Sequence, residues 1–231
     1  MSAEHVVLLP GMLCDQRLWG PQLDGLSLPA TVADFRSATT IAEMATEVLQ
    51  SMPHRFAVAG LSMGGIVAFE LWRQAPERVS HMALLDTNPH AEAPRRRALR
   101  LTDIETVLAG GLRDLAVESM KPAYLASANR DDEALLGLVL DMALDLGPHV
   151  FERQALALAN RADSVPTLAT IGCPAHVICG AEDTLCPVEY HELIAAAIPE
   201  ARLSILDDCG HLSTLEKPRE VTATLNALFA Q

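Results

Sequence analysis

The chain has 231 residues, half of them hydrophobic, which is enough for one large α/β domain with room for an inserted subdomain. A net charge of −13 excludes a basic nucleic-acid face and a polybasic membrane contact, and no apolar run approaches the length of a membrane span. The five cysteines (Cys14, Cys173, Cys179, Cys186 and Cys209) are odd in number and lack a C-x-x-C pair. They read as reduced thiols in a cytoplasmic protein, with no zinc or redox motif.

Residues 1–5 enter the first strand directly, with neither the basic region nor the longer apolar run of a secretory leader. His5–Leu9 is a continuous apolar run closed by Pro10-Gly11, the pattern of a strand buried on both faces. Val32–Phe35 is a shorter candidate strand. Thr40 and Glu43 form a capping-box signature. Ile41, Met44, Val48 and Met52 follow at helical spacing, and Pro53 closes the helix.

Arg55–Ala59 is the next strand. It feeds Gly60-Leu61-Ser62-Met63-Gly64, after which a helix runs to about Ala75 and Pro76. This is a G-x-S-x-G nucleophile elbow in its meaningful context, strand before and helix after. The turn is so tight that Gly60 and Gly64 are needed to remove colliding side chains. Met82–Asp86 is a further strand. The alternation predicts a mostly parallel sheet with helices on both faces.

From 91 to 163 the strand signal disappears. Residues 95–108, 111–124, 131–145 and 148–160 read as helices, separated by Gly110-Gly111, a polar cluster at 129–132 and Gly147-Pro148. The segment is too apolar for a disordered linker. Its aliphatic residues at helical spacing, among them Leu101, Ile104, Leu108, Leu112, Leu115, Leu135 and Leu138, predict a mainly aliphatic inner face. Arg95, Arg96, Arg97 and Arg100 read as a solvated charged face, the alternative being attraction of an anionic substrate. The α/β rhythm then returns: strand 175–179, helix 188–198, strand 202–206, and a last helix 218–229 with Pro218 at its first position.

A serine nucleophile needs an imidazole base, and the imidazole needs an acid. In the elbow order the acid and then the histidine follow the serine. Asp183 leaves the end of one late strand and His211 follows the end of the next. Both fall on the carboxyl rim of the sheet, where Ser62 also lies. Asp86 and Glu182 are rival acids; Asp207 and Asp208 are too near His211 in sequence to reach round it. Cys14 and Trp19 have bland readings as buried packing. The other histidines lack ligand spacing, so neither a metal nor a cofactor is expected.

Five segments in this order resemble the α/β-hydrolase fold family, in its broad esterase, lactonase and C–C hydrolase group. They are Pro10-Gly11-Met12, Gly60–Gly65, Pro76-Glu77-Arg78-Val79, Gly180-Ala181-Glu182-Asp183, and Asp208–His211 with Glu216-Lys217-Pro218. The resemblance implies Ser62 as nucleophile, His211 as base and Asp183 as its orienting acid. It also implies a core of residues 1–90 and 164–231 under a helical cap of residues 91–163. Three departures stand out. The chain enters at the Pro10-Gly11 strand without the family's usual N-terminal hairpin. Pro10-Gly11 also stands where His-Gly is common, and 34–39 where a glycine-rich segment is common.

An oxyanion hole then falls to the backbone N–H groups of Met63 and Met12. The expected activity is hydrolysis of a small-molecule ester, thioester or lactone. The alternatives are a C–C hydrolase or lyase, an acyltransferase, or a non-catalytic binding protein of the same fold. Oligomeric state has no signal in the sequence.

Overall fold

The computed structural model describes residues 4–120 and 124–231. Six strands form one sheet: β1 (Val6–Leu9), β2 (Ala30–Val32), β3 (Phe56–Leu61), β4 (Val79–Leu85), β5 (Ala175–Gly180) and β6 (Arg202–Leu206). Their order is β2-β1-β3-β4-β5-β6 and every neighbouring pair is parallel. The helices are α1 (Gly20–Gly25), α2 (Ile41–Ser51), α3 (Met63–Gln74), α4 (Pro94–Thr106), α5 (Leu112–Leu115), α6 (Glu133–Leu146), α7 (Pro148–Ala159), α8 (Val165–Leu168), α9 (Val188–Ala197), α10 (Ser213–Glu216) and α11 (Pro218–Phe229).

The two-residue period of the strands divides the core into two layers. Val7, Leu9, Val58, Met82, Leu84 and Val177 face one side, against Met44 and Val48 of α2, Val67 and Leu71 of α3, and Ile194 of α9. Val6, Leu8, Ala57, Ala59, Ala83, Leu85 and Ile178 face the other, against Trp19 and against Val221, Leu225 and Phe229 of α11. Both faces are covered, which is why β1, β3 and the second half of β4 read as unbroken apolar runs.

The second strand lies at Ala30–Val32 rather than at 32–35. Its register with Val6–Leu8 sets its position, and Phe35 turns into the α2 layer instead. Thr40 caps α2 by accepting from the Glu43 N–H, while the Glu43 carboxylate returns to the N–H of Thr39 rather than to that of Thr40.

Between β4 and β5 the chain is helical, as expected, but it is broken differently. After α4 it passes through π-helical turns at Val107–Gly111 and Ala116–Met120 on either side of α5, with Gly110 at φ 103°. The expected helix 111–124 runs in part over residues 121–123, which lie outside the described residues. Gly147, at φ 79°, joins α6 to α7 at 94°. Leu13, Ile104, Val107, Leu112, Ala116, Ala143, Phe151 and Ala155 form a third small core. Ala157 and Leu158 of α7 and Val139 and Met142 of α6 join the two main layers. Among the described residues no single helix is long and apolar enough to cross a membrane.

Candidate active site

Ser62 sits between β3 and α3 at φ 55° and ψ −112°, a conformation that costs a non-glycine residue on the order of 1–3 kcal/mol. The surrounding backbone over-determines it. The Ser62 N–H donates to Leu85 O at 2.9 Å, and the Ser62 carbonyl accepts from Gly65 N at 3.0 Å, Ile66 N at 3.2 Å and Thr87 Oγ1 at 2.7 Å. A Cβ on Gly60 would come within 2.3 Å of Gly64 O, and one on Gly64 within 2.0 Å of Leu9 O. The two glycines are therefore fixed by the closeness of three backbone segments.

His211 and Asp183 are both about 4% exposed. His211 Nδ1 lies 2.7 Å from Asp183 Oδ2, while Asp183 Oδ1 accepts from the N–H groups of Leu185 and Cys186, each at 2.9 Å. A bond to an ionised carboxylate puts the ring proton on Nδ1 and leaves the Nε2 lone pair available. Burial alone would lower the His211 pKa. The Asp183 charge and hydrogen bond, with a further contribution from Asp86, outweigh burial and hold it above the ordinary range. The imidazole also stacks on Tyr124, with centroids 5.8 Å apart, and the His211 N–H donates to Tyr124 O at 2.8 Å.

Ser62 and His211 line one cavity of about 890 Å³, together with Gly11, Met12, Cys14 and Tyr124. No hydrogen bond joins the two side chains among the described residues, a spacing common before a substrate tightens the site. Met63 opens α3 directly after Ser62, and neither its N–H nor that of Met12 meets an acceptor among the described residues. A Cβ at Gly11 would be 3.6 Å from Ser62 Cβ, so the loop carrying Met12 passes immediately over the serine.

Several further side chains around the site have roles that only the structure shows. Gln154 of α7 is buried and accepts from the Leu13 N–H at 2.8 Å, fixing the loop that carries Met12 with Leu13 at φ 54°. Glu216 accepts from Gly210 N, Ala126 N and Asn129 Nδ2, tying the His211 loop to the helical segment. His191, fully buried, accepts the Thr87 N–H on Nε2 at 2.8 Å.

The rival acids have other partners. Asp86 is fully buried and accepts from Gly180 N, Ser213 N and Ser213 Oγ. Burial first, then the charge of Asp183, raise its pKa to about 8. Glu182 accepts from Ser127 N, and Asp207 and Asp208 are exposed. Trp19 is core packing. Cys14 is buried at the cavity wall, its thiol pushed up to about 12 by burial. Asp183, Cys186 and His211 bring potential ligand atoms within 4.8 Å of one another, but the carboxylate is already engaged with His211 and two N–H groups.

The cavity wall contributed by the helical segment departs from the aliphatic expectation. Leu99, Leu115, Phe151 and Leu158 line it, but so do Arg96, Arg100, Asp103 and Glu92. Leu101 and Leu108 are exposed, and Ile104 and Leu112 pack helix on helix. Arg95, Arg96 and Arg97 are solvated as expected; the Arg100 side chain is only 17% exposed.

The sequence profile of the Alpha/beta hydrolase family matches residues 5–224. The pimeloyl-[acyl-carrier protein] methyl ester esterase of Aromatoleum aromaticum is 25% identical, over 95% of this chain and 96% of that protein. A thermophilic esterase from Thermogutta terrifontis superposes with a TM-score of 0.90 at 26% identity, over 98% of this chain and 89% of the other. The enol-lactonase of Burkholderia xenovorans LB400 shares the fold, with a TM-score of 0.90 at 24% identity over 100% and 93% of the two chains. With the profile spanning nearly the entire sequence and the architecture shared from end to end, the chain belongs to the alpha/beta hydrolase family.

Proposed function

We propose that this protein hydrolyses small carboxylic esters, thioesters or lactones through an acyl-enzyme, with Ser62 as nucleophile. The observation that carries this reading is a strained serine and a buried imidazole–carboxylate pair opening into the same cavity. The similarity to two esterases over nearly the whole chain supports the substrate class.

In this mechanism His211 Nε2 takes the Ser62 proton as Oγ attacks the carbonyl carbon. Asp183 keeps the Nδ1–H tautomer and stabilises the imidazolium. The N–H groups of Met12 and Met63 receive the developing oxyanion, each contributing roughly 3 kcal/mol to lowering the barrier. His211 then returns the proton to the leaving oxygen, activates a water, and the acyl group is released as a carboxylic acid. Residues 91–163 act as a lid over the serine.

The test is a series of p-nitrophenyl esters of increasing acyl length, with lactones and methyl esters alongside. Turnover should peak at short to medium chains, and Ser62→Ala should lower it by about 10³-fold or more while the protein stays folded. A fluorophosphonate adduct should map to Ser62. An adduct elsewhere, or full turnover by the alanine variant, would reject the assignment.

A further inference from the structure

The cavity wall holds an arginine whose counter-charge is already shared. Arg100 Nε donates to Glu92 Oε2, and the same oxygen accepts from Arg161 Nη1 at 2.8 Å. Arg161 is built into the wall. Its side chain is 4% exposed, its Nε donates to His90 O and its Nη1 also donates to Leu158 O. Glu92, 5% exposed, therefore serves as the fixed partner of Arg161, and Arg100 is left in surplus.

Of the other donors of Arg100, Nη1 meets only the Met12 thioether at 3.7 Å, a weak acceptor. Nη2 meets no acceptor among the described residues. Asp103 also lines the cavity, but forms no ion pair with Arg100 among the described residues. Arg100, Arg161 and the solvent-exposed Arg96 line the cavity with two acidic residues, Glu92 and Asp103. Burial, with the charges of Arg96 and Arg161 added to it, holds the Arg100 pKa below its ordinary value despite Glu92. In a chain of net charge −13, a surplus cation inside the reaction cavity is a local feature and not a reflection of the surface.

We propose that Arg100 is the specificity-determining residue for a carboxylate on the substrate, so that the preferred substrate is an ester or lactone carrying a free carboxylate at the end remote from the reacting carbonyl, such as a monoester of a dicarboxylic acid. The inference rests on the hydrolase reading above for its reaction, but not for its binding. The planar fork of Nη1 and Nη2 matches a carboxylate's two oxygens, and charge-assisted pairs of this kind are the strong ones in a partly dry site. The contact with Met12 links this end to the chemistry: the arginine lies against the residue whose N–H faces the oxyanion.

The experiment compares kcat/KM for monomethyl esters of dicarboxylic acids of four to eight carbons with the corresponding dimethyl esters. Each variant is read as the ratio between the two, so general damage to the pocket cancels. The wild type should prefer the monoester by about 10- to 100-fold, mainly through KM. Arg100→Gln should bring the ratio close to one, and Arg100→Lys should fall between. Glu92 keeps Arg161 as partner in both variants, so folding is retained. A wild-type ratio near one, or an unchanged ratio in Arg100→Gln, would overturn the proposal. If no ester of either kind is turned over, calorimetry on Ser62→Ala with the free dicarboxylic acids decides. Saturable binding lost in the Ser62→Ala, Arg100→Gln double variant upholds the carboxylate site without the hydrolase reading. No binding, or inorganic phosphate binding as tightly, rejects it.

Discussion

Thr87 donates from Oγ1 to the carbonyl of Ser62 and from its own N–H to His191 Nε2, while His191 Nδ1 lies 3.2 Å from Pro187 O. The imidazole must be neutral to accept, and burial lowers its pKa to about 4. An unfolded histidine titrates near 6.5, so between these values the unfolded chain binds the extra proton. The stability contributed by neutral His191 is whole above pH 6.5 and is lost as pH falls through 4, roughly 3 kcal/mol in all. Urea melts of wild type and His191→Gln at pH 7 and pH 4.5 check this: the wild type should lose more stability on acidification. Parallel losses would remove His191 from the account.

The two buried aspartates invite a sharper comparison. Asp183→Asn should cut kcat by about 10⁴-fold, because the amide favours the wrong imidazole tautomer. Asp86→Asn replaces one acceptor oxygen by a donor opposite Gly180 N or the Ser213 donors, which costs about 1–3 kcal/mol of stability and leaves most of kcat. With its pKa raised to about 8, Asp86 is mostly uncharged at neutral pH and below, so the acid limb of kcat/KM should move little in that variant. Thermal melts and pH–rate profiles separate these effects. A larger loss of kcat in Asp86→Asn than in Asp183→Asn would reverse the assignment.

At the scale of elements, α7 does more than cover the site. Its Gln154 accepts from Leu13 N and donates to Phe35 O at 3.3 Å, bracing the loop of Met12 against the α2 layer. Gln154→Leu should lower kcat by about 10- to 100-fold, part of what a lost oxyanion donor costs, with KM little changed. Gln154→Glu keeps the acceptor and should recover part of the loss. Equal effects on kcat and KM in both variants would point to general loosening instead.

The sheet, its order of helices and the positions of Ser62, Asp183 and His211 were legible, because strand runs buried on both faces and a glycine-flanked serine leave local patterns. The roles of Gln154, Thr87 and His191 were not, because each acts through a partner far away in sequence. The sequence does not single out Arg100 for the same reason: on a helix its neighbours Arg95–Arg97 look alike, and only packing separates a solvated guanidinium from one in the cavity wall. The strand at Ala30–Val32 was displaced because its register depends on β1, which no short window contains.

Across the whole molecule, the helical segment is sewn into both main layers rather than set upon them. Leu158 packs with the α3 layer, Met142 with the Trp19 layer, and Glu216 clamps Ala126 and Asn129. Excising residues 91–163 would strip apolar partners from the sheet, so the segment and the sheet should melt together in one transition.

Strand β5 pairs with β4 only after everything from Asp86 to Pro174 has been folded back. The neighbours β1, β3 and β4 are joined by shorter connections and can find one another early, whereas closing the long excursion carries a larger entropic barrier. Ser62 belongs to the early half, and Asp183 and His211 to the late one. Refolding from urea should therefore show most of the recovery in helical ellipticity before hydrolytic activity returns, with activity following the slowest phase. Slowing the excursion, by lengthening the polar turn at 129–132, should delay the return of activity without changing the early rise. The chain would then assemble the proposed nucleophile inert and arm it only as the last strand docks, a temporal order written into the topology of the sheet.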